Sequence, residues 1–170
     1  MKRVVLDSGV CMKWLLGKNQ KTRTHKIAAN LFNGVRRKEL SLLEPPIWRA
    51  EIVAKMSRIS PIRIDALIKR LTTIEARTDN SEECLRKAAD LSIQLDHDLF
   101  DTLYHAVALN HSIDLITANV RYYRKACGLG NIILLRNWPA ALRIAERRAK
   151  YVLRKRTRKR RPPARLRKKR

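Results

Sequence analysis

Short apolar runs of the kind that form β-strands alternate along this chain with longer segments whose apolar residues recur at helical spacing. The runs that predict strands are residues 4–6, 40–43, 72–76, 113–117 and 132–135. The segments that predict helices are residues 10–16, 25–40, 47–59, 62–71, 81–95, 99–110 and 139–153. This alternation favours an α/β domain with a mainly parallel central sheet, because a parallel strand is usually reached through a crossover helix. Ligands of such sheets bind beyond the carboxyl ends of the strands, where Asp7 and Asn119 are predicted to lie.

Positive charge is concentrated towards the C-terminus. The formal net charge is +24, from 39 Lys and Arg against 15 Asp and Glu, and sixteen of the basic residues fall within residues 143–170. Such a distribution predicts a polyanionic partner such as RNA. We therefore divide the chain into a domain of residues 1–137, a basic helical extension of residues 138–153 and a disordered basic arm of residues 154–170. The residues of the arm that we expect to bind RNA are Arg154, Lys155, Arg156, Arg158, Lys159, Arg160 and Arg161.

The cysteines and the hydropathy pattern predict a cytoplasmic protein. Cys11, Cys84 and Cys127 lie far apart and match no zinc-ligand spacing, which is typical of reduced thiols. No secretory pattern opens the chain and no run of about 18 apolar residues follows, so we expect no contact with a membrane.

Two other kinds of site are disfavoured. The glycines form no phosphate-binding loop, which argues against a nucleotide-binding enzyme. The histidines show no paired-ligand spacing and are predicted to be scattered over the surface, which argues against a His-based metal site. They are His25, His97, His105 and His111.

Three acids in apolar surroundings could form a metal site. Asp7 follows the first predicted strand, Glu51 lies in the helix after two prolines, and Asp101 lies near the start of the helix at residues 99–110. Oxygen ligands from separate segments suit Mg²⁺ or Mn²⁺, which can activate water and neutralise phosphate charge. Each acid alone could equally be a turn former or a helix cap. For Asp98 we favour a charge role at the helix start over a supporting place near the metal, and for Tyr104 packing in the core.

Three segments together resemble the PIN-domain ribonucleases of the VapC toxin type. They are VVLDSGVCMKWLL, EPPIWRAEIVAKM and LFDTLYHAVALNHSIDLITANVRYYRKA, in the order and spacing of that family. The resemblance implies a three-layer α/β sandwich in which Asp7, Glu51 and Asp101 bind the metal. Ser8 could support this site or simply form a turn, and Thr117 could line it or simply end a strand. The resemblance places the fourth acidic position of the site on Asn119, which brings no charge.

The resemblance implies a Mg²⁺- or Mn²⁺-dependent endoribonuclease with a cognate antitoxin and a homodimeric assembly. Asn119 and the basic arm leave open a second function, a non-catalytic RNA-binding protein of the same fold. The arm is also compatible with a nuclear import signal or a DNA-binding segment, because a basic run offers only charge.

Overall fold

A five-stranded parallel sheet forms the centre of the described part of the chain, which comprises residues 1–17 and 22–139 of this computed structural model. The strands are β1 (Lys2–Leu6), β2 (Leu40–Glu44), β3 (Ala76–Thr78), β4 (Asp114–Thr117) and β5 (Ile132–Leu134). The helices are α1 (Ser8–Leu16), α2 (Arg23–Arg36), α3 (Trp48–Ile59), α4 (Ile64–Thr72), α5 (Glu82–Leu95), α6 (Leu99–Asn110) and α7 (Val120–Ala126). Single 3-10 turns occupy Pro61–Arg63, Cys127–Leu129 and Leu135–Asn137.

The order of the strands brings the ends of β1 and β4 together. The order is β3-β2-β1-β4-β5, and all four pairings are parallel. Leu6 pairs with Ile116, so the residues that follow β1 and β4 leave the same edge of the sheet side by side. The predicted α/β class with a parallel sheet is confirmed.

Helices cover both faces of the sheet. Val4, Val5 and Leu6 are consecutive and fully buried, although alternate residues of a strand point to opposite faces. Helix α6 packs against β1 and β2, and it is buried around most of its circumference, as its apolar sequence predicts. Its first turn begins at Asp98, whose side chain accepts a hydrogen bond from the Phe100 backbone N–H, so the predicted helix-start role of Asp98 is confirmed.

Some predicted element bounds were wrong for local reasons. The strand expected at residues 72–76 lies at Ala76–Thr78, because α4 continues through Thr72 and the edge strand exposes Arg77 and Thr78 instead of alternating apolar residues. The helix expected at residues 25–40 ends at Arg36, since Lys38 adopts a left-handed φ of 58°. Helix α7 was not predicted, because it is short and charged.

The basic extension and arm cannot be compared with these predictions. A compact unit comprises Met1–Trp138, and apart from Trp138 and Pro139 the residues of the predicted extension and arm lie outside the described residues. Within residues 1–17 and 22–139, no helix has the length and apolar character needed to span a bilayer.

Candidate active site at the carboxyl edge of the sheet

Asp7 joins the end of β1 to the end of β4. Its Oδ1 accepts a hydrogen bond from the Val10 backbone N–H (2.8 Å) and caps α1. Its Oδ2 accepts hydrogen bonds from the Thr117 hydroxyl and from the Ala118 backbone N–H. Burial raises the pKa of Asp7; the three hydrogen bonds lower it and the nearby Asp101 raises it again, with a net increase. Asp7 therefore fills the helix-cap role that the sequence offered, and the same side chain also makes a long-range contact with the end of β4.

Glu51 lies in the first turn of α3, and three side chains donate hydrogen bonds to its carboxylate. The Ser8 hydroxyl donates to Oε1 (2.9 Å), and the Lys55 ammonium donates to the same oxygen (2.5 Å) and to Ser8 Oγ (2.6 Å). The Tyr104 hydroxyl donates to Oε2 (2.6 Å). Burial and the Glu51 carboxylate raise the pKa of Tyr104, which keeps its phenol a donor. Tyr104 is buried, as its expected packing role requires, and it also fixes one oxygen of Glu51.

Asn119 connects Asp101 to the end of β4. Its Nδ2 donates to Asp101 Oδ2 (2.9 Å), and its backbone N–H donates to Thr117 Oγ1 (2.9 Å). Its Oδ1 accepts from the Tyr122 backbone N–H (3.0 Å) and thereby caps α7. Asp101 Oδ2 also lies 2.8 Å from His97 Nε2. The amide therefore serves as donor and acceptor at the same time.

These contacts, together with the peptide bond between Asp7 and Ser8, join the sequence-predicted site residues of the domain into one cluster. Thr117 bonds both Asp7 and Asn119, Asn119 bonds Asp101, and Ser8, the neighbour of Asp7, bonds Glu51. A cleft of about 310 Å³ is lined by Glu51, Ala54, Lys55, Arg58, Asp98, Phe100 and Asp101. Asp101 and Asn119 also line a second cleft of about 740 Å³, together with residues that include His97 and Arg121. The predicted RNA-binding residues of the arm, 154–161, lie outside the described residues.

Comparison with protein families matches residues 4–127 of the chain to the PIN domain. The chain belongs to the PIN domain family. The resemblance that the three sequence segments indicated is therefore confirmed for the family, and the match covers all of the clustered acids.

Solved structures share the fold of this PIN domain at low sequence identity. VapBC2 from Rickettsia felis, bound to a DNA fragment from the promoter, is 16% identical with a TM-score of 0.57, over 78% of this chain and 96% of its own. A toxin–antitoxin complex from Klebsiella pneumoniae is 16% identical with a TM-score of 0.56, over 78% and 97%. VapC20 from Mycobacterium tuberculosis, a toxin that cleaves the sarcin–ricin loop, is 14% identical with a TM-score of 0.51, over 66% and 86%. No curated protein sequence matches the chain.

Glu44 is a further acid beside the site, and the sequence motifs did not single it out. It ends β2 and is fully buried, with Oε1 accepting from the Leu6 backbone N–H (2.9 Å) and Oε2 without a hydrogen-bond partner among the described residues. Burial raises the pKa of Glu44 well above its usual range, and Asp7 raises it further. The signal in the sequence was an acid directly after the predicted apolar strand of residues 40–43, next to a position where carboxylates are rarely buried.

The prediction that the histidines are scattered over the surface was wrong for three of them. His25 is 6% exposed. The side chain of His97 is 8% exposed where it meets Asp101. His105 is fully buried between the Tyr122 hydroxyl (2.9 Å from Nδ1) and the Gly130 carbonyl (2.8 Å from Nε2). Burial lowers the pKa of His105, which favours a neutral ring that joins α6 to α7.

The acids of this PIN domain have the donor chemistry for a divalent cation. Asp7, Glu51 and Asp101 supply the hard oxygens that Mg²⁺ and Mn²⁺ prefer. Burial raises the pKa of Asp7 and the nearby Asp101 raises it further, so a cation beside these acids would stabilise the ionised form of Asp7. In the part of the chain that the structure describes, no group of three Asp, Glu, His or Cys side chains is arranged to hold a metal ion. Oxygens of Glu51 and Asp101 face Lys55 and Asn119 instead.

We expect Glu44→Gln to stabilise the protein increasingly as the pH rises. The unfolded chain loses the Glu44 proton above about pH 4.3, whereas the folded protein keeps it to higher pH. In that window the folded state binds more protons than the unfolded state, so wild-type stability falls by up to about 1.4 kcal/mol per pH unit. The amide removes this loss and can still accept from the Leu6 N–H.

Urea unfolding at pH 5 and pH 8 measures the effect. The free energy of unfolding of Glu44→Gln, relative to wild type, should be larger at pH 8, whereas exposed Glu83→Gln should show no such trend. A difference for Glu44→Gln that is the same at both pH values would contradict a raised Glu44 pKa.

Proposed function

We propose that this PIN domain is a metal-dependent endoribonuclease of the VapC toxin kind, which cleaves RNA phosphodiester bonds. The observation that carries the proposal is the hydrogen-bonded cluster at the carboxyl edge of the sheet. Asp7, Glu51 and Asp101 come from separate segments, yet each accepts a hydrogen bond from the side chain of another residue of the cluster. Asp7 is buried and Glu51 and Asp101 are partly buried, and withdrawing carboxylates from water costs stability, which favours a functional reason for their positions.

The residues of the cluster have distinct roles in this proposal. Asp7, Glu51 and Asp101 hold Mg²⁺ or Mn²⁺, which when bound supplies an activated water and offsets charge on the phosphate. Thr117 fixes the orientation of Asp7, and Ser8 together with Tyr104 fixes that of Glu51. Asn119 acts through Asp101 and is a positioning residue.

Cations beside the acids are suited to the RNA backbone. Lys55 and Arg58 line the smaller cleft and Arg121 the larger, so each cleft that contains Asp101 also has a basic rim. Such side chains contact phosphates without reading the base sequence. The basic run at residues 154–161 would add to this contact.

A protein inhibitor and a homodimer complete the proposal. Toxin–antitoxin complexes from two organisms share the fold, which supports a cognate antitoxin partner in the cytoplasm. Phe100 is half exposed in the cleft that holds Glu51 and Asp101, so an inhibitor that entered the cleft would find an apolar contact beside the acids.

Cleavage of RNA by the wild-type protein tests the proposal. Protein freed of any bound inhibitor by unfolding and refolding is incubated with ribosomal and transfer RNA, and the new ends are mapped by sequencing. We expect discrete cuts with Mg²⁺ or Mn²⁺ and none with EDTA. The same cuts in EDTA would reveal a contaminating or metal-independent nuclease, and the absence of cuts with every metal would contradict the proposed activity.

The second candidate function is RNA binding without cleavage. Two observations favour it: an amide stands at the fourth acidic position, and Lys55 already occupies an oxygen of Glu51. This function predicts tight, metal-independent RNA binding by a protein that makes no cuts in the same assay.

A further inference from the structure

The ammonium of Lys55 lies at the candidate metal site, where it contacts Glu51 and Ser8. Its ammonium lies 2.5 Å from Glu51 Oε1 and 2.6 Å from Ser8 Oγ. Lys55 follows Glu51 by one turn of α3, so the backbone itself sets this pairing. The Glu51 side chain is only 13% exposed, whereas that of Lys55 is 46% exposed. The lysine stem therefore lies near the surface while its charged end reaches a shielded carboxylate.

Another pair in the chain has the same spacing but a different environment. Arg86 and Glu82 also lie 2.5 Å apart with i,i+4 spacing, yet their side chains are 77% and 75% exposed. Water screens an exposed pair so that it contributes little. Shielding of Glu51 makes its attraction to Lys55 stronger than that of the exposed pair.

Lys55 is also distinct among the donors to the three acids. Within the described residues, the other donors to Asp7, Glu51 and Asp101 are backbone N–H groups, hydroxyls, the Asn119 amide and the His97 ring. Among the described residues, Lys55 is the one lysine or arginine that reaches them. A divalent ion at Glu51 Oε1 would lie against this ammonium, and like charges at such a distance repel strongly in a shielded site.

We infer that Lys55 is an internal counter-cation that holds Glu51 and Ser8 in place until a divalent ion displaces its ammonium. This inference rests on the proposed function, because it assumes that the acids bind a metal. Displacement breaks the Lys55–Glu51 ion pair, so part of the metal-binding free energy is spent on it. Lys55 thereby sets a threshold concentration of metal, below which its ammonium stays paired with Glu51 and no divalent ion binds.

Calorimetric titration with Mn²⁺, in the absence of RNA, tests the inference. We expect Lys55→Gln to bind Mn²⁺ with a Kd at least about tenfold lower than that of wild type, which corresponds to roughly 1.4 kcal/mol. Lys55→Met, which keeps the apolar stem, should behave in the same way. Arg86→Gln is the matched control: it removes the same charge from a pair of the same spacing, and its Kd should stay within about twofold of wild type.

Thermal unfolding separates the roles of the ammonium further. In EDTA, Lys55→Gln should unfold at a lower temperature than Arg86→Gln, because Glu51 has lost its counter-cation, and saturating Mn²⁺ should remove the difference. If Asp101→Asn abolishes Mn²⁺ binding but Lys55→Gln leaves the Kd unchanged or raises it, the inference is wrong while the proposed metal site stands. If no variant and no wild-type protein binds Mn²⁺, the proposed metal site and the inference fail together.

Discussion

Asp101→Asn protein is expected to cleave RNA at least about a thousandfold more slowly than wild type at saturating Mn²⁺, a loss of roughly 4 kcal/mol of transition-state stabilisation. The substitution removes one negative charge from the centre of the cluster. The side-chain carbonyl of asparagine can still accept from the Asn119 amide, so the contact between α6 and the end of β4 survives. The loss should therefore appear in cleavage rather than in folding.

Single-turnover cleavage and thermal unfolding, measured on the same preparations, check this result. Asp90→Asn is the control, because Asp90 is exposed on α5 and its replacement removes the same charge. We expect its cleavage rate to stay within about threefold of wild type, and the unfolding temperature of both variants to stay within roughly 4 °C. Cleavage by Asp101→Asn within tenfold of wild type would remove Asp101 from the proposed site.

Asp7→Asn should lose cleavage as well, but at a cost to the fold. Both oxygens of Asp7 accept hydrogen bonds, Oδ1 from Val10 and Oδ2 from Thr117 and Ala118. An asparagine has one acceptor oxygen, so its NH₂ group must face a backbone N–H on one side or the other. A buried donor left unsatisfied costs about 1–3 kcal/mol. Asp101→Asn is for this reason the cleaner test.

Deletion of residues 154–170 is expected to weaken RNA binding at least tenfold at about 0.1 M salt, or roughly 1.4 kcal/mol. The segment contains twelve Lys and Arg and no acid, and it lies outside the described residues. Basic side chains release counterions from the phosphates they bind, so the salt dependence of binding should flatten by about 0.7–0.9 units of slope for each phosphate that the shortened protein no longer neutralises. The clustered acids all precede residue 120, and cleavage of a short RNA should therefore survive.

Fluorescence titrations of labelled RNA between 50 and 300 mM salt measure both quantities. A protein of full length in which the twelve basic residues of the segment are replaced by Gln serves as the control for length. It should bind as weakly as the deletion. Equal affinity and equal slope for the wild type and the deletion would show that the segment does not anchor RNA, and an import or protein-binding role would then be favoured.

The positions of Asp7 and Asn119 were predictable from simple rules. Each follows a short β-branched run, and parallel strands bring such positions to one edge of the sheet. Glu51 and Asp101 lie on helices, where spacing alone does not tell an acid of the site from a helix cap. Their inclusion in the site depended on the resemblance to PIN domains, and the hydrogen bonds of the structure then connected them to the sheet edge.

Several contacts and one strand could not be predicted from the sequence. Lys55 has the same spacing from Glu51 as Arg86 has from Glu82, and only the folded structure sets the first pair apart, through the burial of Glu51 and the contact of Lys55 with Ser8. Glu44 stayed hidden because its partner is a backbone N–H on another strand. Strand β3 was misplaced because an edge strand with polar residues lacks the alternation from which strands are predicted.

The hydrogen bonds of Asn119 allow only one orientation of its side-chain amide. Its oxygen faces the start of α7 and its nitrogen faces Asp101, and rotating the amide by half a turn would set donor against donor on one side and acceptor against acceptor on the other. An aspartate could still cap α7 but would turn a second carboxylate towards Asp101. The residue that lacks the expected charge in the sequence is thus, in the folded protein, a donor to Asp101 and an acceptor from the start of α7. Two carboxylates at residues 101 and 119 would repel each other unless they shared a proton or a cation lay between them.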